Sequence, residues 1–120
     1  MHDFLFLKLD KKFLKLCYSE IAYAEAEKKY VRIVTPRKTF LVLSSITSVE
    51  KILPGDQFCR IHRSYIISLQ HMTGFDNEVA YIGDKIFPIG KQHRQVLQDK
   101  VIILSNDKIE MDDSNIKIAG

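Results

Sequence analysis

The chain has little cysteine, proline or glycine: two, three and five residues among 120. Cys17 and Cys59 form neither a disulfide framework nor a paired metal-ligand spacing, and each sits in an apolar, strand-like run, so both read as buried free thiols. No apolar run approaches the roughly 20 residues of a membrane-spanning helix; Val101-Ile-Ile-Leu104 is typical of the longest. The start, Met1-His2-Asp3 followed at once by Phe4-Leu5-Phe6-Leu7, lacks the basic segment, apolar stretch and small-residue cleavage site of a secretory signal. A soluble, cytoplasmic protein with no membrane role is the expectation. There is no repeat, low-complexity tract or linker, and the length admits one ordinary domain.

What is present is globular in composition, 46% hydrophobic and 28% charged, which argues against a disordered chain. The net charge of +3 is unevenly spread. From Ser105 onward Asp107, Glu110, Asp112 and Asp113 outnumber Lys108 and Lys117, a local −2 that leaves +5 on residues 1–104. The expected division is a basic folded body, residues 1–104, and an acidic, weakly structured C-terminal extension, residues 105–120.

The first half reads at the two-residue period of a β-strand, in which successive side chains take opposite faces. Leu5, Leu7 and Leu9 share one face; beyond Asp10-Lys11-Lys12, Phe13, Lys15 and Cys17 alternate with Leu14, Leu16 and Tyr18, which predicts a hairpin. Phe4, Phe6 and Phe13 are expected in the core. Ile21–Ala26 has the alanine content of a helix but is short and flanked by strand-like sequence, whereas Tyr30–Thr35 is β-branched and plainly a strand. Glu27-Lys28-Lys29 is a polar turn between them, and Pro36-Arg37 leads into a further strand, Lys38–Val42. At Ser44 the period lengthens: Ile46, Val49 and Ile52 or Leu53 recur at helical spacing behind Ser44 or Ser45 as N-cap, and Pro54-Gly55 ends the helix. Short strands are predicted at Phe58–Ile61, Tyr65–Leu69, His71–Phe75, Val79–Ile82 and Lys85–Ile89, and a second helix from near Gly90 through Val96, Leu97 and Val101. The fold class is mainly β with two short helices.

Catalytic constellations do not assemble. Cys59, His62 and His71 are close in sequence, but on a strand Cys59 and Arg60 take opposite faces and leave no thiolate–imidazole pair. Cys17, Cys59, His62, His71 and His93 have no short paired spacing for zinc, and Asp56, Asp76, Glu78 and Asp84 are scattered through turns as solvated charges. Gly83 and Gly90 belong to no phosphate-cradling loop. Neither catalysis nor a cofactor is expected.

The cations form a more informative set, because they fall at turns and element ends. Lys28 and Lys29 occupy one turn, Arg60, His62 and Arg63 a second stretch, and Lys91, Gln92, His93 and Arg94 the first turn of the second helix. Phosphate binding needs long cations and exposed backbone N–H groups; base reading in a major groove needs side chains such as Arg, Lys and Gln. Each cluster alone is equally an ordinary solvated turn, and only their convergence on one face would separate the two readings.

Phe58-Cys-Arg-Ile-His-Arg-Ser-Tyr-Ile66 strongly resembles the signature of the LytTR family of bacterial DNA-binding domains. Three further segments match in order: Ile21-Ala-Tyr-Ala-Glu-Ala26 with Lys28-Lys29-Tyr30-Val31, Leu43-Ser44-Ser45 through Leu53-Pro54, and Phe87-Pro-Ile-Gly90 with Lys91–Leu97. The resemblance covers about Phe4 to Leu104. Departures are local: Gly90 stands where serine is common, and Lys29 and Ser68 stand where asparagine is common. Without a hydroxyl, Gly90 loses a side-chain bond to the first helical turn.

The resemblance implies an elongated arrangement of small antiparallel sheets that binds duplex DNA through loops in successive major grooves, over repeated half-sites. Carried over residue by residue, it implies base contacts from Lys29 or Tyr30, from Arg63, and from Lys91 or Gln92. Phosphate contacts or loop support fall to Lys28, Arg60, His62, His93 and Arg94, with Tyr65 as a further brace. It also implies a transcriptional regulator of two-component type, with a receiver domain as partner and a second copy on the DNA. The chain is then either an output domain separated from its receiver, which the abrupt Met1-His2 start suits, or a stand-alone regulator. The competing reading is a protein interaction module, or an antagonist relative that has lost DNA binding. RNA binding would want exposed aromatic rings on a sheet face.

Overall fold

A computed structural model describes residues 3–105, and the acidic extension beyond Ser105 lies outside them. The chain opens with a hairpin, β1 (Phe4–Leu9) and β2 (Lys12–Cys17). Strands β3 (Tyr23–Glu27), β4 (Tyr30–Val34) and β5 (Thr39–Leu43) follow, then helix α1 (Ile46–Ile52) and strands β6 (Phe58–His62) and β7 (Tyr65–Ser68). These five strands form one antiparallel sheet in the order β5-β4-β3-β7-β6. A three-stranded sheet of β8 (Gly74–Phe75), β9 (Val79–Ile82) and β10 (Lys85–Pro88) comes next. A single 3-10 turn at Lys91–His93 then leads into α2 (Arg94–Lys100). The molecule is elongated, 56 × 32 × 28 Å.

Both faces of the central sheet are covered around β3, β6 and β7, so β6 and β7 run apolar at consecutive positions, Phe58-Cys59 and Ile66-Ile67, whereas the edge strand β5 leaves Leu41 and Leu43 exposed. On one face Ala24, Val31, Ile33, Phe58 and Ile66 pack with Ile46, Val49 and Leu53 of the α1 segment and with Leu7 and Leu16 of the hairpin. On the other, Tyr23, Cys59, Ile61 and Ile67 pack with Ala80, Phe87, Ile89 and Leu97. Each fully buried aliphatic side chain contributes about 1.5–3 kcal/mol, so these two layers hold the sheet and fix the ends of its strands. The Ser45 Oγ accepts the Ser48 N–H at 3.1 Å as the N-cap of α1, and Pro54 follows its last turn.

Within Ile21–Ala26 the strand starts at Tyr23: β3 is central, and Ala24, opposite both Ile33 and Ile66, is a small residue in the layer that holds Ile46 and Val49 of α1. The run at His71–Phe75 shortens to β8, because Met72 N–H bonds Ser68 O and His71 N–H bonds Ser68 Oγ, which turns the chain. Phe6 and Phe13, expected in the core, are 55% and 66% exposed. The hairpin lays only one face on the sheet and the leucine row takes it. The opposite row carries Lys8 and Lys15, which keep their charge in water above the rings of Phe13 and Phe4 at 5.8 and 4.2 Å. Cys17 shares that outer row and is half-buried, whereas Cys59 is buried as expected, and burial pushes its thiol pKa up.

Candidate nucleic-acid interface

The antiparallel order sets the β3–β4 turn, the β6–β7 turn and the start of α1 at one end of the central sheet. Ala26 N–H donates to Ser64 O at 2.9 Å, which places the β6–β7 turn beside the end of β3. Gly90 N–H donates to Ile61 O at 2.8 Å, which places the segment entering α2 along β6. Three cationic stretches distant in sequence thereby become neighbours: Lys28–Tyr30, His62–Arg63 and Lys91–Arg94.

The β3–β4 loop has two residues, Lys28 and Lys29, between the paired Glu27 and Tyr30. Lys28 sits at φ +57°, a left-handed conformation that costs a lysine about 1–2 kcal/mol. Both lysines are exposed and, with Leu43, Ser44 and Ser45, line an open cleft. The Lys29 ammonium lies 6.0 Å from the Tyr30 ring, itself 38% exposed. Glu27, the acid nearest this loop in sequence, is drawn off by Arg32 at 3.6 Å.

The β6–β7 turn is held from behind. Arg60 lies opposite Cys59 in facing, toward α1: its Nη1 bonds Glu50 Oε1 at 2.8 Å, its Nε bonds His62 O at 2.8 Å and its Nη2 bonds Arg63 O at 2.7 Å. Only 15% of its side chain is exposed, so Arg60 braces the turn instead of reaching out of it. The Ser64 N–H donates to His62 Nδ1 at 3.1 Å, and the His62 ring leans on Tyr65, which meets Phe87 edge-on at 5.4 Å. Burial, reinforced by Arg63, His93 and Arg60, lowers the His62 pKa; burial raises that of the Tyr65 hydroxyl. Arg63, at the turn, is exposed.

Along the third segment Lys91 and Gln92 are exposed, while His93 and Arg94 are half-buried. The helix proper starts at Arg94, later than the spacing predicts, because Lys91–His93 close a 3-10 turn with His93 N–H on Gly90 O. A Cβ at Gly90 would stand 3.1 Å from His93 Cδ2, so a serine there would push the ring aside by a few tenths of an ångström. The Arg94 Nε is buried without a hydrogen-bond partner. The sequence names the cationic residues of these three stretches and Tyr65 but not Glu50, whose α1 position gives no signal until Arg60 is seen to face it. Among the described residues no cluster of three His, Cys, Asp or Glu side chains is arranged to hold a metal.

A family model for the LytTr DNA-binding domain matches residues 11–101. The chain is 36% identical over 55 residues to the CO-responsive transcriptional regulator RcoM of Rhodospirillum rubrum, covering 46% of this chain and 23% of that protein. It is 30% identical over 73 residues to the sensory transduction protein LytT of Bacillus anthracis, covering 61% and 29%. The chain therefore spans less than a third of these relatives. Its fold is that of a solved LytTr DNA-binding domain from Bacillus cereus, at a TM-score of 0.69 and 20% identity over 83% of this chain and 97% of the other.

Proposed function

The chain belongs to the LytTR family of DNA-binding domains, and from that premise we propose that it reads specific duplex sequences as the DNA-binding part of a bacterial transcriptional regulator. Its loops enter successive major grooves over repeated half-sites, and it acts by binding alone, in the cytoplasm. The observation that carries this reading is the gathering of three cationic stretches, from turns far apart in sequence, at one end of one sheet. Arg63 and either Lys91 or Gln92 take base edges, as does Lys29 or Tyr30, since these side chains present donors, acceptors or both to groove-facing atoms. Lys28 and Arg94 meet phosphates; His62, His93 and Arg60 support the loops between. A receiver domain in a longer regulator and a second copy on the DNA complete the two-component reading, which the LytT likeness favours.

Selection of duplexes from a random pool by the purified chain tests this, followed by anisotropy titrations of the selected and a scrambled duplex at several salt concentrations. A repeated half-site, an affinity that falls steeply with salt, and a clear preference over the scrambled control are expected. Arg63→Ala should cost about 1–3 kcal/mol and relax one base position. No enrichment, with weak binding indifferent to sequence, overturns the proposal.

A further inference from the structure

An apolar groove separates the hairpin from β5 and α1, lined among others by Leu5 and Leu7 of β1, Val42 of β5 and Val49 of α1. Two of its lining residues, Phe6 on the outer row of the hairpin and Ile52 at the end of α1, are 55% and 63% exposed, so large apolar side chains at its margins have little cover. The strands beside it are both sheet edges: among the described residues β1 has β2, and β5 has β4, as its one strand partner. A groove with apolar sides and an open strand edge suits an extended segment, which gains backbone hydrogen bonds by adding as a strand and places alternate side chains in the channel. The family match begins at residue 11, so β1, one side of the groove, precedes the part of the chain which that assignment covers.

Charge identifies the occupant. Lys8 lines the groove, Ser44 lines both the groove and the cleft holding Lys28 and Lys29, and among the described residues no acidic side chain lines either. A second copy would set lysine against lysine, whereas an acidic segment meets a complementary rim. We propose that the groove docks an extended segment of a partner protein in which apolar residues alternate with acidic ones, and that its acidic end enters the Lys28–Lys29 cleft in competition with DNA. The competition rests on the DNA-binding reading above; the docking does not.

The probe is a displayed library of random peptides of about ten residues, the length of one strand, selected on the whole chain. Winners are titrated against wild type, Ile52→Asp and the double variant Lys28→Ala/Lys29→Ala, with melting curves confirming that each folds; exposure of all three positions favours this. The expected winners alternate apolar and acidic residues. They lose about tenfold or more in affinity on Ile52→Asp and about threefold on the double lysine variant. They displace a labelled duplex from wild type, and Ile52→Asp still binds that duplex. No enrichment, or winners that bind Ile52→Asp as tightly as wild type, overturns the docking site. Winners without acids overturn the charge assignment, and self-association by sedimentation that Ile52→Asp abolishes gives the groove to a second copy. If peptides bind the groove while no selected duplex binds any variant, the DNA reading fails and the docking stands; duplex binding without peptide binding is the reverse.

Discussion

Arg60 and Glu50 meet at 2.8 Å, tying the middle of β6 to α1 while the same guanidinium holds the carbonyls of His62 and Arg63. The turn that presents Arg63 is therefore positioned by a helix on the far side of the strand. Arg60→Ala strips two carbonyls of their donor and should lower stability by about 1–3 kcal/mol. Glu50→Gln, whose side chain is 45% exposed, should cost less than about 1 kcal/mol. In DNA titrations Arg60→Ala should relax the base position proposed for Arg63 and leave the salt slope unchanged. Urea unfolding curves that superimpose on wild type would dismiss the brace.

Lys28 combines a backbone conformation that suits glycine with a charge that suits phosphate. Lys28→Gly should stabilise the fold by about 0.5–1 kcal/mol, the relief of left-handed strain exceeding the added entropy of the unfolded chain. It should also weaken binding to every duplex alike and reduce the salt slope by about one. Lys29, which has no positive φ, should lose about 0.5–1 kcal/mol of stability on the same replacement. Parallel melting and salt titrations separate the two lysines; a Lys28→Gly protein that melts lower than wild type contradicts the assignment of strain.

Much of this was legible in the residues. The strand period located the hairpin and the sheet strands, Ser44 or Ser45 and Pro54-Gly55 bounded α1, with Ser45 the observed N-cap, and the motif around Arg60–Tyr65 identified the family. The side of the hairpin that faces water was misjudged, although the signal was present: Lys8 and Lys15 share a row with Phe4, Phe6 and Phe13, and a row carrying two lysines is the one that stays wet. Ala24 pulled its segment toward helix because alanine propensity is local, whereas the close packing of α1 that requires a small residue is tertiary. The gathering of three cation clusters was beyond the sequence altogether, since it follows from the β5-β4-β3-β7-β6 order and from two backbone bonds, Ala26 to Ser64 and Gly90 to Ile61.

His62 makes stability pH-dependent with a definite sign. Its Nδ1 accepts the Ser64 N–H only while unprotonated, and burial followed by Arg63, His93 and Arg60 holds its pKa below the ordinary 6.5. The unfolded chain therefore takes up this proton first. The contribution is complete above the unfolded value and is lost progressively as pH falls through it toward the lower folded value. His62→Asn, whose side-chain oxygen can accept the same N–H without titrating, should show a smaller loss between about pH 7.5 and 5.5. Equal losses for the two proteins in urea melts at both pH values would remove His62 as the source.

Tyr65 lies between the His62 ring at 5.6 Å and Phe87 at 5.4 Å, bridging the β6–β7 turn and the layer beneath β10. If the ring acts as a brace, its value is in the aromatic contacts and not in the hydroxyl. Tyr65→Phe should then melt close to wild type and bind the selected duplex equally well, while Tyr65→Ala should lose about 2 kcal/mol or more, opening a gap against Phe87. DNA affinity should fall with it, because the turn carrying Arg63 loses one of its two supports. A Tyr65→Phe protein that folds as well as wild type but loses sequence preference would show that the hydroxyl reaches the DNA.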